Sequence, residues 1–197
     1  MWQSTAIIRG LMARAAHVPM DALIGSFQEA LAYDAFGTTE AREQLGNIAR
    51  GIPGDSGYSP EDKARFVKFA VEELRKEVSK PAKDVKHMIF LGSILDRSLA
   101  LDPSYPAEAE RTLREAVSIS PTKQMLYLEL AQLYLTENRI DESVAILRKA
   151  LQLDTAYQEI AVNMAIVGDL AKKPEVVAEA KKYINITVTN LLLKTSH

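Results

Sequence analysis

Five positions in the second half of this chain return after 34 residues: Ala109, Leu113, Ala116, Ile119 and Pro121 are followed by Ser143, Leu147, Ala150, Leu153 and Thr155. A fixed interval of that length implies one supersecondary unit used more than once, each copy burying its apolar face against its neighbours. Around these positions apolar residues recur at spacings of three and four, and β-branched alternation is nearly missing before the C-terminus. That is the period of amphipathic helices, so the expected fold class is all-α, built of antiparallel helical hairpins. Punctuation at Pro19, Gly37 with Thr38, residues 51–60, Pro81, 102–106, Pro121, 137–141, Asp154 with Thr155, and 172–174 divides the chain into about ten helices. The best-signalled start is Ser59-Pro60-Glu61-Asp62, which offers a cap, a proline for the first turn and acids over the positive helix end.

The helices preceding the repeated positions carry a second pattern. Tyr127-x-x-Leu130-Ala131-x-x-Tyr134 reads large, leucine, small, large, and 34 residues on it becomes Ala161, Met164, Ala165 and Gly168. Before it, Met88, Leu91, Gly92 and Leu95 fit once Asp102 to Pro106 are treated as an insertion, and Leu23, Phe27 and Ala30 show related spacing. The small residue belongs where two helix backbones approach, with bulky residues to either side. Motif and interval together resemble the tetratricopeptide repeat, most closely over 107–155 and more broadly over 83–191. The resemblance implies a short right-handed superhelix of stacked hairpins. Residues 1–50 would supply N-terminal hairpins, 51–60 a loop, and 61–197 the repeat region. A C-terminal capping helix is expected where Ile184, Val188, Leu191 and Leu192 keep helical spacing.

Such an array binds along the face lined by the first helix of each hairpin. Helical spacing assigns Ile89, Ser93 and Asp96 to that face, then Leu128, Gln132 and Leu135, then Val162, Ile166 and Asp169, with Asn163 beside them. These residues form the candidate partner-binding groove. Tetratricopeptide domains that hold acidic C-terminal tails line the face with lysine, arginine and asparagine. Here only Lys86, Arg97 and Asn163 lie near it, so a carboxylate clamp in the groove is not expected. The occupant is either a foreign protein or peptide, or another helix of this chain or of a second copy.

Chemistry is poorly signalled, and no catalytic residue, metal ligand set or cofactor is assigned. Gly54-Asp55-Ser56-Gly57 is similar to a serine-protease nucleophile motif, but Pro53-Gly54-Asp55-Ser56-Gly57 is built of turn formers in an α-helical chain. His17, His87 and His197 have no partners at metal-ligand spacing and are expected at the surface or an edge. Glu72, Glu73 and Glu77 beside Arg75, Lys76 and Lys80 read as a solvated face. The chain has no cysteine, which excludes thiol chemistry and disulfides. A formal net charge of −2 gives no electrostatic reason to expect nucleic acid or an anionic membrane as partner. Asn185-Ile186-Thr187 fits a glycosylation sequon, a tripeptide common by chance.

Residues 27–45, FQEALAYDAFGTTEAREQL, and 101–135, LDPSYPAEAERTLREAVSISPTKQMLYLELAQLYL, also resemble the soluble C-terminal tail of bacterial O-antigen ligase/polymerase-type membrane proteins. This second resemblance implies a non-catalytic interaction domain tethered to the cytoplasmic membrane by spanning segments outside this chain. The alternative is a free-standing cytoplasmic scaffold or regulator. Under either reading the partner is a protein or peptide, self-association included, and this chain itself inserts in no membrane.

Overall fold

The computed structural model describes residues 19–32 and 38–184. They form nine α-helices and two 3-10 turns, with no strand among them. The helices are α1 Met20–Ala32, α2 Thr38–Gly51, α3 Pro60–Val78, α4 Val85–Arg97, α5 Tyr105–Ile119, α6 Gln124–Thr136, α7 Ile140–Leu153, α8 Gln158–Leu170 and α9 Pro174–Lys181. His17, Gly37, the sequon at Asn185, the capping helix expected beyond Ile184, and His197 lie outside the described residues.

Local signals account for the boundaries. Ser59 Oγ accepts the amide of Asp62 at 3.1 Å, capping α3 ahead of Pro60. Asp84 Oδ1 does the same for Lys86 at the start of α4, at 2.8 Å. The Pro53–Gly57 stretch is turn: a 3-10 turn spans Ile52–Gly54, and Asp55 Oδ1 accepts the Gly57 amide at 2.8 Å. The insertion expected at Asp102 to Pro106 is only partly loop, and helical turns flank it on both sides. A 3-10 turn covers Leu99–Leu101, and Tyr105 and Pro106 already belong to the first turn of α5.

The chain divides into two compact units, Met1–Thr112 and Leu113–His197. The division falls inside α5, and the 51–60 loop lies within the first unit. There α2 packs on α3 and α4, α3 packs on α4, and α1 touches α2 and α3. Leu23, Phe27, Leu45, Ile52, Phe66, Leu74 and Leu91 are buried, and Phe27 meets Phe66 edge to face at 6.1 Å. At Gly46 a Cβ would stand 2.6 Å from Phe90 Cγ, so α2 reaches α4 only because no side chain is there. The solvated face read from sequence on α3 holds only in part: Glu72 is exposed and Lys76 pairs with Glu73 at helix spacing, but Glu77 and Arg75 also engage neighbouring helices. Glu77 is 12 % exposed and held by Arg42 of α2 at 3.1 Å and Lys80 at 2.8 Å. Arg75 turns away from its own helix to Glu108 of α5, Nε to Oε1 at 2.8 Å and Nη2 to Oε2 at 2.5 Å. Helix spacing alone could not show that neighbouring helices would lie over these groups.

In the second unit α6 pairs with α7, α7 packs on α8, and α8 pairs with α9. Here the 34-residue interval is structural: Leu113, Ala116, Leu147 and Ala150 are fully buried, whereas Ile119 and Leu153 are both exposed. The turns repeat too. Asn138 and Lys172, 34 apart, have φ of 59° and 56°. Each is followed by a 6→1 bond, Arg139 N to Tyr134 O at 2.7 Å and Lys173 N to Gly168 O at 2.8 Å. These are Schellman C-terminal turns. Gln124 and Gln158 repeat as well: each amide donates across the hairpin that follows, Gln124 to Asp154 O at 3.2 Å and Gln158 to Tyr183 O at 2.9 Å.

Candidate partner-binding surface

Helix α6 is buried on most of its circumference. Leu126, Tyr127, Glu129, Leu130, Ala131, Leu133 and Tyr134 are below the surface. At ~100° per residue the remaining sector holds Met125, Leu128, Gln132, Leu135 and Thr136, all exposed or half-buried. Helix α8 is open on the equivalent side, where Val162 and Asn163 are half-buried and Ile166, Asp169 and Leu170 are exposed. Ile166 is 43 % and Leu170 65 % exposed, large apolar side chains left in water by the fold. The helices touch one another, so two repeat-equivalent open sectors are neighbours within one compact unit.

Not every expected groove residue lies on such a sector. Ile89, Ser93 and Asp96 belong to α4, in which ten consecutive residues from His87 to Asp96 are buried. Their exposures are 6 %, 1 % and 5 %, so they offer no surface to a partner. One cause is α2, whose Arg50 Nε donates to Ser93 Oγ at 2.9 Å. His87, expected at a surface or edge, is also enclosed, with Nδ1 3.5 Å from Asp84. Its position on the inward side of the first turn of α4 overrides its polarity.

The polar members of the strip are largely satisfied by their own helices. Asn163 Nδ2 donates to Glu159 O at 2.8 Å, and Gln132 Nε2 reaches Thr136 Oγ1 at 3.3 Å. That leaves Leu128, Leu135, Val162 and Ile166 as its chemical character, with Met125 and Leu170 at its ends. Met125 and Leu170 were not among the expected residues, although Met125 stands three before Leu128 on the same face.

The tyrosines of α6 are structural. Tyr127 OH donates to Pro121 O at 2.5 Å, and burial pushes its pKa above the usual phenol value. The guanidinium carbons of Arg139 and Arg114 stand over the Tyr134 ring, 4.4 and 5.8 Å from its centroid. Ser143 Oγ, fully buried, donates to Ala131 O at 2.8 Å and ties α7 to α6. Among the described residues no group of three or more His, Cys, Asp or Glu could hold a metal ion. No helix among them is long and apolar enough to cross a membrane.

Residues 100–161 match the family model of the tetratricopeptide repeat. No curated protein matches the chain's sequence. Among solved structures it is similar to a thermophilic TPR protein of Thermus thermophilus, at 19 % identity and a TM-score of 0.62, over 98 % of this chain and 96 % of that one. It is also similar to two structures of MamA. One has 15 % identity and a TM-score of 0.57, over 95 % of this chain and 97 % of that one. The other has 16 % identity and a TM-score of 0.55, over 92 % and 87 %. At such identities the likeness is one of fold. It lends no support to the resemblance to O-antigen ligase/polymerase tails.

Proposed function

We propose that the chain is a non-catalytic protein–protein interaction module, and that its partner lays an apolar segment along the α6/α8 strip. The observation that carries this reading is the repeated open sector. Two helices equivalent under the 34-residue interval leave the same side uncovered, with Leu128 and Leu135 on one and Val162 and Ile166 on the other. Tetratricopeptide modules bind proteins or peptides, which agrees with a strip rich in aliphatic side chains and poor in charge. A partner helix presenting leucines at i, i+3 and i+7 would bury both surfaces. Ile89, Ser93 and Asp96, buried in α4, are left out of the proposal.

The test substitutes Leu128→Lys together with Leu135→Lys. Capture of a partner from an extract of the source organism should be lost while helicity and melting temperature stay nearly unchanged. A marked loss of folding would show that both leucines are core, and unimpaired capture would move the binding surface elsewhere. Self-association is read by sedimentation of the same two proteins. The finer reading, the tail of an O-antigen ligase/polymerase-type membrane protein, rests on the sequence stretches 27–45 and 101–135 alone. A free-standing scaffold or regulator agrees equally with the fold. The reading frame upstream of this chain decides between them: spanning helices there support the tail, and their absence the scaffold.

A further inference from the structure

The turn joining α8 to α9 borders an open surface depression of about 480 Å³, lined by Gly168, Asp169, Lys172, Val177, Ala178 and Lys181, with Lys173 and Pro174 completing it. Its lining includes the small and aliphatic residues Gly168, Val177 and Ala178. Its rim is cationic. Lys173 is already engaged: its ammonium pairs with Asp141 of α7 and holds that carboxyl below the usual aspartate range. Lys172 and Lys181 are exposed, and neither has an ion-pair partner among the described residues. Lys172 also stands in the left-handed region at φ 56°, a conformation that disfavours lysine and that the equivalent turn gives to Asn138. No arginine lines the depression to grip a phosphate in bidentate fashion, and Asp169 on the same rim repels a dianion more than a monoanion.

We propose that this depression binds a carboxylate on a short aliphatic stem, as an aspartate or glutamate in an acidic peptide segment presents it. Lys172 and Lys181 take the anion, and Val177 and Ala178 lie beneath the stem. The inference rests on the interaction-module reading and adds a second, charged anchor beside the apolar strip. The full chain, labelled for amide spectra, is titrated with acetyl-Ala-Glu-Glu-Ala-amide, with its glutamine counterpart, and with inorganic phosphate. Saturable shifts centred on Gly168, Lys172, Ala178 and Lys181 are expected with the glutamate peptide alone, and they weaken as salt rises. The double variant Lys172→Gln, Lys181→Gln should bind roughly tenfold more weakly, the loss of two exposed charge contacts. Its melting temperature is measured in parallel, and Lys181→Gln alone serves if the pair disturbs folding. Equal shifts from the glutamine peptide, tighter binding of phosphate, undiminished binding by the variant, or no saturable shifts would each overturn the proposal. If that happens while Leu128→Lys with Leu135→Lys still abolishes partner capture, only the carboxylate proposal falls. If capture is also unaffected, the strip reading falls with it.

Discussion

At the scale of single residues, the fold depends on places where something small is required. Gly168 is the repeat counterpart of Tyr134, which looks like a lost core position until the turn is seen. A Cβ there would stand 3.0 Å from Val176 Cβ, Val177 Cγ2 and the Val177 backbone nitrogen. Backbone does not yield, so Gly168→Ala should lower stability by about 1 kcal/mol or more through overpacking. Ala131→Leu, at the buried position beneath Ser143, should cost about 1–3 kcal/mol for the same reason. Denaturant melts check both, and an unchanged midpoint for Ala131→Leu would mean the repeat register is misread. Lys172 offers the opposite case: Lys172→Gly should raise stability by about 0.5–1 kcal/mol by relieving a left-handed lysine. No rise in the melting midpoint would show that the surrounding turn already favours lysine.

Between elements, charge pairs join what the repeat pattern only aligns. Arg148 of α7 meets Glu179 of α9 with Nη2 to Oε2 at 2.6 Å and Nε to Oε1 at 3.0 Å. The hydrogen bond from Arg148 holds the Glu179 carboxyl below the ordinary glutamate value. A carboxyl depressed in the folded state stabilises fully above its unfolded pKa, roughly 4.3, and that contribution is lost as pH falls through the lower folded value. Both side chains are partly in water, so the pair contributes at most about 1 kcal/mol. Titrating Glu179 by carbon NMR should show the depressed value, and Arg148→Gln should return it upward and flatten stability below pH ~4. A Glu179 titration indifferent to Arg148→Gln would remove the link. Such pairs were not legible in sequence. Arg75 and Glu77 each have an opposite charge at helix-pair spacing, Glu72 and Lys80, yet Arg75 bonds to Glu108 of α5, and Glu77 takes Arg42 of α2 as well as Lys80. The start of α3 was legible, because Ser59 is bonded to an amide three residues ahead of it, whereas the Asp84 cap of α4 was not read from sequence.

For the molecule as a whole, hairpin arrays gain stability from each neighbour in turn, so short helices with few packing neighbours hold least. Helix α9 has only eight residues and, among the described residues, packs mainly on α8. Its amides should exchange with deuterium faster than those of α6 and α7, which are packed between neighbours. Equal protection in α9 and α6 would contradict nearest-neighbour stacking in this unit. The contacts also part the chain inside α5 at Thr112 and Leu113, a boundary without proline, glycine or loop composition to announce it.

The all-α class, the breaks between helices and the inward residues of the repeated hairpins were all present in the order of the amino acids. These are local or periodic properties, and Leu113, Ala116, Leu147 and Ala150 carry the same meaning in every copy. Which candidate groove residues reach solvent depended instead on how the helices pack. Ser93 and Ile166 occupy equivalent places on first helices, yet one is 1 % exposed and the other 43 %. A residue's helical phase says which way it points from its own axis, and only the neighbouring helices settle whether anything lies there to cover it.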